Sequence, residues 1–318
     1  MDARRSEPRG GPSLSRRALL LKGGSLTIAA AMTSALVRGV RAAAPGNPAR
    51  YLGSIPFANP AFQAVWARTD MPVAIGQVDR TWMWGSLPDT PGMMEPYVES
   101  PGGQRLVQYF DKSRMEITDP GGDPTSQWYV TNGLLVVELM TGQMQVGNNT
   151  FGTRTPAVVN VAGDADDPTG PTYAGLAGLR GAPAAGSFDT LTSRVNRRGQ
   201  VTDDPSLLDQ GVVAAHLVTV PGIDHQIASP FWTFMNSSGP IWQGDAVSQA
   251  ALFPSPFYAT GYPITEAYWA SVKVAGTYRE VLMQCFERRV LTYTPDNPPG
   301  WKVEAGNVGL HYHAWRYP

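Results

Sequence analysis

The sequence predicts a β-rich α+β protein in which two related strand-and-short-helix units flank a β-rich middle segment, and three observations carry that reading. Gln108-Tyr109-Phe110-Asp111-Lys112 is echoed by Gln284-Cys285-Phe286-Glu287-Arg288 inside a longer shared order of residues. Short runs alternate apolar and polar residues and are bounded by Gly, Pro and Asp, the pattern of strands joined by turns. Charged residues make up only 16% of the chain while Gly (34) and Pro (28) are abundant, and nine Trp with twelve Tyr separate this composition from that of a disordered chain.

The shared order extends both ways. Upstream, Pro72-Val73-Ala74-Ile75-Gly76 matches Pro240-Ile241-Trp242-Gln243-Gly244, and Pro96-Tyr97-Val98-Glu99 matches Pro263-Ile264-Thr265-Glu266. Downstream, Trp128-Tyr129-Val130 with Gly133 matches Trp301-Lys302-Val303 with Gly306. A unit built twice in tandem is more often a packing or binding module than an active site. The expected division is an export signal over 1–44, a first unit over 45–146, a middle segment over 147–228 and a second unit over 229–318.

The N-terminus carries Arg4, Arg5 and Arg9, then Ser15-Arg16-Arg17-Ala18-Leu19-Leu20-Leu21-Lys22, an apolar Ala-rich stretch over 23–37, and Arg41-Ala42-Ala43-Ala44-Pro45. A charged region, a short apolar region and a small-residue cleavage site read as an export signal and not as a membrane anchor. Beyond residue 44 no stretch approaches the ~20 apolar residues that cross a bilayer. Loss of residues 1–44 leaves 17 basic and 24 acidic residues, a net charge of −7. That sign disfavours binding to nucleic acid or anionic lipid. Cys285 has no second cysteine to pair with, so stability rests on burial.

Along the remaining chain, Asn59 caps a helix that begins at Pro60 and places Phe62, Val65 and Trp66 on one face. Alternation predicts strands over 80–84, 105–110 and 114–117, with Asp119-Pro120-Gly121-Gly122-Asp123-Pro124 a turn. Residues 131–140 favour helix over strand, stopped by Gly142. The middle segment offers an acidic loop over 162–170 and strands over 190–196 and 212–220. Phe231-Trp232-Thr233-Phe234-Met235 is the aromatic counterpart of the first helix, followed by paired strands over 278–286 and 289–293 and a turn over 295–300. Residues 308–315 fit a helical face (Val308, Tyr312, Trp315) and a strand face (Leu310, Tyr312, Ala314) equally well.

Gly261-x-Pro263-x-x-Glu266, Gln284-x-Phe286-Glu287 and Gly306-x-Val308 resemble one element of the LGFP-type repeats of bacterial cell-envelope and secreted proteins. Almost everything after residue 55 is similar to a group of uncharacterised bacterial secreted proteins that share the arrangement at 108–117 and 286–295. Arg16-Arg17 makes the export signal resemble the twin-arginine class, which implies folding before export. The repeats here carry long insertions, and Met115 or Val290 stands where a glycine is common. The resemblance implies an envelope-facing, glycan-contacting module and no catalytic residue.

Several constellations invite chemistry. Asp224-His225 suggests acid–base work, yet no G-x-S-x-G turn supplies a nucleophile. His311-x-His313 places two imidazoles on one side of a strand, without an H-E-x-x-H or a Cys pair to complete a zinc site. Asp164, Asp166 and Asp167 offer oxygen ligands at a spacing foreign to the EF-hand loop. Glu116 with Glu138, or Glu266 with Glu287, could pair as glycosidase carboxylates, or balance Arg105, Arg114, Arg288 and Arg289 across strands. The candidate ligand-binding residues are Trp82 and Trp84, which a strand would set on one face for stacking against sugar rings. No cofactor and no metal is expected.

The sequence thus leads to a secreted, non-catalytic binding or scaffolding protein at the cell envelope, with cell-wall polysaccharide or another exported protein as partner. The alternative is a secreted hydrolase whose site lies in the middle segment around residues 164–167 and Asp224-His225.

Overall fold

Asn59 starts the first element. In the computed structural model, which describes residues 55–318, the Asn59 side chain accepts the Ala61 N–H and Pro60 fills the first helical position. The helix runs Pro60–Ala74 and buries Phe62 and Trp66. The export-signal reading of residues 1–44 lies outside the described residues.

Strands β1 (Met93–Pro96), β2 (Gln104–Tyr109) and β3 (Arg114–Ile117) form an antiparallel sheet. The helix Leu135–Thr141 follows and ends on Gly142, whose φ of 72° suits a residue without a Cβ. A small hairpin joins β4 (Gln143–Gln145) to β5 (Phe151–Thr153). The middle segment supplies β6 (Ser193–Val195) with β7 (Val201–Asp203), and then the hairpin of β8 (Ala214–Val220) and β9 (Ile223–Ala228). After the helix Ser229–Met235 comes the hairpin of β10 (Ser238–Gln243) and β11 (Ala246–Ala251). Strands β12 (Tyr268–Val274), β13 (Thr277–Cys285), β14 (Val290–Tyr293) and β15 (Val303–Ala305) complete the largest sheet, ordered β15-β14-β13-β12-β6-β7. There β12 meets β6 in parallel at Trp269 and Arg194, so middle-segment strands extend the sheet of the C-terminal segment. The chain closes on the helix Val308–Arg316. The fold is mixed α+β and β-rich, and one apolar core runs through it.

The segments around Phe110 and Phe286 have the same topology, fixed by the same bonds. Gln108 Oε1 accepts the Ala58 N–H at 2.9 Å while its Nε2 donates to the carbonyls of Pro56 and Thr90 at 2.9 Å each. Gln284 Oε1 accepts the Ala228 N–H at 3.2 Å while its Nε2 donates to Gln226 and Thr265 at 2.7 and 3.0 Å. The next N–H donates to a threonine hydroxyl in each case, Tyr109 to Thr90 and Cys285 to Thr265. Phe110 and Phe286 each donate to the carbonyl three residues on, that of Ser113 or Arg289. Gly85 and Gly261 pass so close to Asp111 and Glu287 that a Cβ would lie 2.1 Å from one carboxylate oxygen and 2.8 Å from the other residue's Cβ.

These bonds correct two of the upstream matches. Pro88, not Pro96, is the partner of Pro263, since Pro88 bridges Phe110 as Pro263 bridges Phe286, while Pro96 ends β1. Pro72 lies inside a helix and Pro240 inside β10, so that pair shares letters and no structure. Downstream, Thr131 bridges Glu116 as Glu304 pairs Thr292, which aligns Trp128 with Trp301 and Gly133 with Gly306.

Each segment also grips the other in the same way. Val137 N–H, at the start of the first segment's helix, donates to Glu287 O at 3.4 Å, and Leu310 N–H, at the matching place in the second, donates to Asp111 O at 3.1 Å. The aligned Asn132 and Ala305 also reach across, by different bonds: Asn132 Nδ2 donates to Tyr258 O at 2.9 Å and the Ala305 backbone N–H donates to Thr81 Oγ1 at 3.1 Å. Contacts that exchange symmetrically between two bodies are the signature of an isologous, two-fold arrangement.

Candidate functional site

Trp82 and Trp84 do not form a stacking platform. Asp70, buried in the first helix, accepts N–H bonds from Met83, Trp84 and Gly85 at 3.0, 2.7 and 3.1 Å, and this carboxylate takes donors that a sheet ladder would have used. The expected strand over 80–84 is therefore irregular backbone. Trp84 is turned inward, 2% exposed, with the Arg289 guanidinium 4.5 Å from its ring centroid. Trp82 is half-buried against the core. The period-2 argument failed because the residue that organises this stretch lies ten or more positions away.

The groups suggested for hydrolysis are engaged elsewhere. His225 is buried, with Nδ1 3.0 Å from Glu266 Oε1 and Nε2 3.2 Å from Arg180 O, so both ring nitrogens are occupied. Asp224 accepts from Thr219 Oγ1 on the exposed side of the β8–β9 hairpin. Asp164 accepts the N–H groups of Ala275 and Gly276 at 3.0 and 2.8 Å, and Asp166 pairs with Lys273 at 2.6 Å. Asp167 takes the Lys273 N–H at 2.9 Å together with Thr169, and although burial opposes it, these bonds hold its carboxyl down at about 2. The acidic loop is thus a clasp on the β12–β13 turn. His311 and His313 lie on a helix, two residues apart, and so on different sides of it. His311 Nδ1 sits 2.9 Å from Tyr173 Oη, while His313 packs on Tyr109. Among the described residues no group of three His, Cys, Asp or Glu side chains is arranged to hold a metal ion.

Glu116 and Glu138 do come together, in a buried network built around Arg114. Arg114 Nη1 donates to Glu95 at 2.9 Å and Nε to Glu116 at 3.0 Å, and Arg105 donates to the other Glu116 oxygen at 3.0 Å. Tyr109 and Tyr317 donate to Glu95 at 2.5 and 2.9 Å, and Arg316 lies 3.3 Å from it. Burial would raise Glu95, but Arg114, Arg316 and the Tyr109 hydroxyl outweigh it and hold the carboxyl below the usual range. Glu138 accepts from Tyr312 and has a second oxygen without a hydrogen-bond partner; burial pushes its carboxyl up, and Arg114 offsets only part of that. The arrangement cross-braces β1, β2, β3 and both helices that follow the matched segments. Glu266 and Glu287 serve apart, one on His225 and the other on the Tyr262 N–H.

Trp82 keeps part of its surface exposed but stands without Trp84 beside it; a row of neighbouring partly exposed rings lies elsewhere. His216 on β8 and Trp232 stack with centroids 3.7 Å apart and planes within 4°. Phe257 follows at 6.1 Å from Trp232, and Tyr262 at 4.9 Å from Phe257. All four side chains are partly exposed, which makes a ridge of ring surface along the C-terminal segment. Phe231 and Met235 point into the core, so the helix turns Trp232, one residue on, away from that face; the sequence alone does not say which face meets the core.

No family model, no curated protein and no solved structure matches this chain. Among the described residues no helix is long and apolar enough to cross a membrane.

Proposed function

We propose that this chain is an exported, non-catalytic binding or scaffolding protein of the cell envelope, and that its glycan-contacting surface is the ridge His216–Trp232–Phe257–Tyr262. The observation that carries the reading is a contrast: the His, Asp and Glu groups suited to hydrolysis are held by structural bonds, while four neighbouring rings keep part of their surface in water. Pyranose rings present apolar C–H faces that stack on such surfaces, and a row of rings accepts successive sugars of a chain. The matched bonds of Gln108 and Gln284 support descent from one duplicated unit, as the LGFP-type resemblance implies, and the basic, apolar and small-residue order of residues 1–44 supports export through the twin-arginine route.

The test is retention of the protein on insoluble cell-wall polysaccharide, for wild type and Trp232→Ala, with reducing-sugar release measured alongside. The reading expects retention that Trp232→Ala reduces at least tenfold, and no release. Equal retention of both proteins, retention of neither, or sugar release by the wild type would overturn it, the last in favour of the hydrolase.

A further inference from the structure

The hairpin of β10 and β11 offers a different kind of surface, an unpaired strand edge. Among the described residues β11 pairs only with β10, and the first helix packs against β10. Which backbone groups of β11 stay unpaired follows from the register. Pro240 has no N–H, so its pair with Gln249 cannot be one that exchanges two bonds, and just beyond the hairpin the Leu252 N–H donates to Ser237 O at 3.0 Å. Bonded and unbonded pairs alternate in an antiparallel ladder, so Ala246, Ser248 and Ala250 turn their backbone groups to β10 while Val247 and Gln249 turn theirs outward. The N–H and C=O of these two residues thus face water in a row.

Edges of this kind are usually blunted by Lys, Pro, a bulge or an inward charge. The exposed strand β8 carries such a bulge, between Ala214 and His216. By contrast β11 reads Ala246-Val247-Ser248-Gln249-Ala250-Ala251, without charge, Pro or Gly, and residues 246–249 are all exposed. Unpaired ladder groups select an extended strand as their occupant. An antiparallel strand identical to β11 engages all of them when Val247 faces Gln249, and that register also sets Ser248 against Ser248 and Ala246 against Ala250. These pairs are small or uncharged, so no like charges oppose one another. One step further out, Asp245, exposed at the turn, stands against Ala251, whose carbonyl accepts from Arg68 at 2.7 Å. An anion of one copy therefore meets a cation of the other at each end of the ladder.

We propose that β11 pairs antiparallel with β11 of a second copy of this chain, joining two hairpins into one sheet of order β10-β11-β11-β10 about a two-fold axis at Ser248. This assignment goes beyond the ridge and does not depend on it: loss of polysaccharide retention in Trp232→Ala leaves it standing.

The experiment follows the mass of the full chain by sedimentation from the low to the high micromolar range. The wild type should pass from one chain to two. Ser248→Lys and Ser248→Glu each set like charges opposite one another at the axis and should each weaken the dimer at least tenfold, while an equimolar mixture of the two should recover it. Position 248 is exposed, so both variants should keep the fold, which circular dichroism checks. Ser248→Cys adds an accessible thiol to a chain whose Cys285 is 1% exposed. Unbonded antiparallel pairs lie about 4.5 Å apart at Cα, within the span of a disulfide, so mild oxidation should link two chains through it. A wild type that stays a single chain throughout, a mass unchanged by Ser248→Lys, a mixture of Ser248→Lys and Ser248→Glu no heavier than its components, or no cross-link in Ser248→Cys would overturn the proposal.

Discussion

Gln284→Met removes three hydrogen bonds at nearly constant side-chain volume, so it separates bonding from cavity formation. In the wild type the Gln284 amide satisfies the Ala228 N–H and adds a bond to the carbonyls of Gln226 and Thr265, with Gln284 and Ala228 both fully buried. An unpartnered buried donor costs ~1–3 kcal/mol, and each lost bond to a buried carbonyl adds ~1 kcal/mol, giving ~3–5 kcal/mol in all. Gln108→Met removes the matching three bonds, but Pro56 is exposed and Ala58 only half-buried, so water can replace two of them. The expected cost there is ~1–3 kcal/mol. Urea unfolding followed by fluorescence, with unchanged slopes as the two-state check, measures both. A Gln108→Met loss equal to or larger than that of Gln284→Met, or losses below ~1 kcal/mol in both, would refute the claim that these amides clasp the two segments.

Other outcomes follow from the buried charges. Arg114→Met should destabilise by ~3–5 kcal/mol at neutral pH, because Glu95 and Glu116 lose their common cation; the deficit should shrink as the pH is lowered and those carboxylates protonate, which thermal melts at neutral and acid pH would reveal. Burial lowers His311 from 6.5 to about 4, so the fold holds it neutral. Its contribution is complete above the unfolded value and is lost as the pH falls from 6.5 towards 4, with a ceiling of ~3 kcal/mol that partial exposure reduces; His311→Gln should flatten that part of the stability profile in urea titrations. Burial pushes the Cys285 thiol up to about 12, and the side chain is 1% exposed. A maleimide should therefore label it only in denaturant, and rapid labelling of the native protein would contradict its place in the core.

What could be read from the letters was what depends on near neighbours. The Asn59-Pro60 cap, the Gly142 stop and the strands on either side of Phe110 and Phe286 follow from local geometry, and the structure has them. The strand over 80–84 was misread because Asp70 supplies acceptors from another element. The match of Pro96 to Pro263 failed because it rested on shared letters; the bridges of Pro88 to Phe110 and of Pro263 to Phe286, with the Thr90 and Thr265 bonds, fix the partner eight residues earlier. The terminal segment was open between helix and strand since its periodicity satisfied both, and its docking on the first segment decides it: a Cβ at Gly309 would lie only 1.8 Å from Phe110 O. The candidate sites suffered most. Tryptophans 82 and 84 alternate like strand residues, yet exposure is a property of the whole fold, and Trp232 could be distinguished from Phe231 only by knowing which helix face meets the core.

The reciprocal bonds bear on where binding surfaces can arise. Each matched turn presents a carbonyl, Asp111 O or Glu287 O, that is satisfied by the helix of the opposite segment. Arg289 adds to this by reaching from the second segment to the carbonyls of Met83 and Lys112 in the first. Neither segment alone fulfils the backbone bonds of its own turn, and a buried unmet carbonyl is costly. The two must therefore fold against each other, which agrees with the described residues, 55–318, belonging to one compact unit. The junction then places Lys112, from the first turn, at the wall of a cleft whose floor belongs to the sheet of the second. A concavity lined from both sides exists only when both halves are in register, so the pairing that stabilises the fold is also what builds its polar cleft.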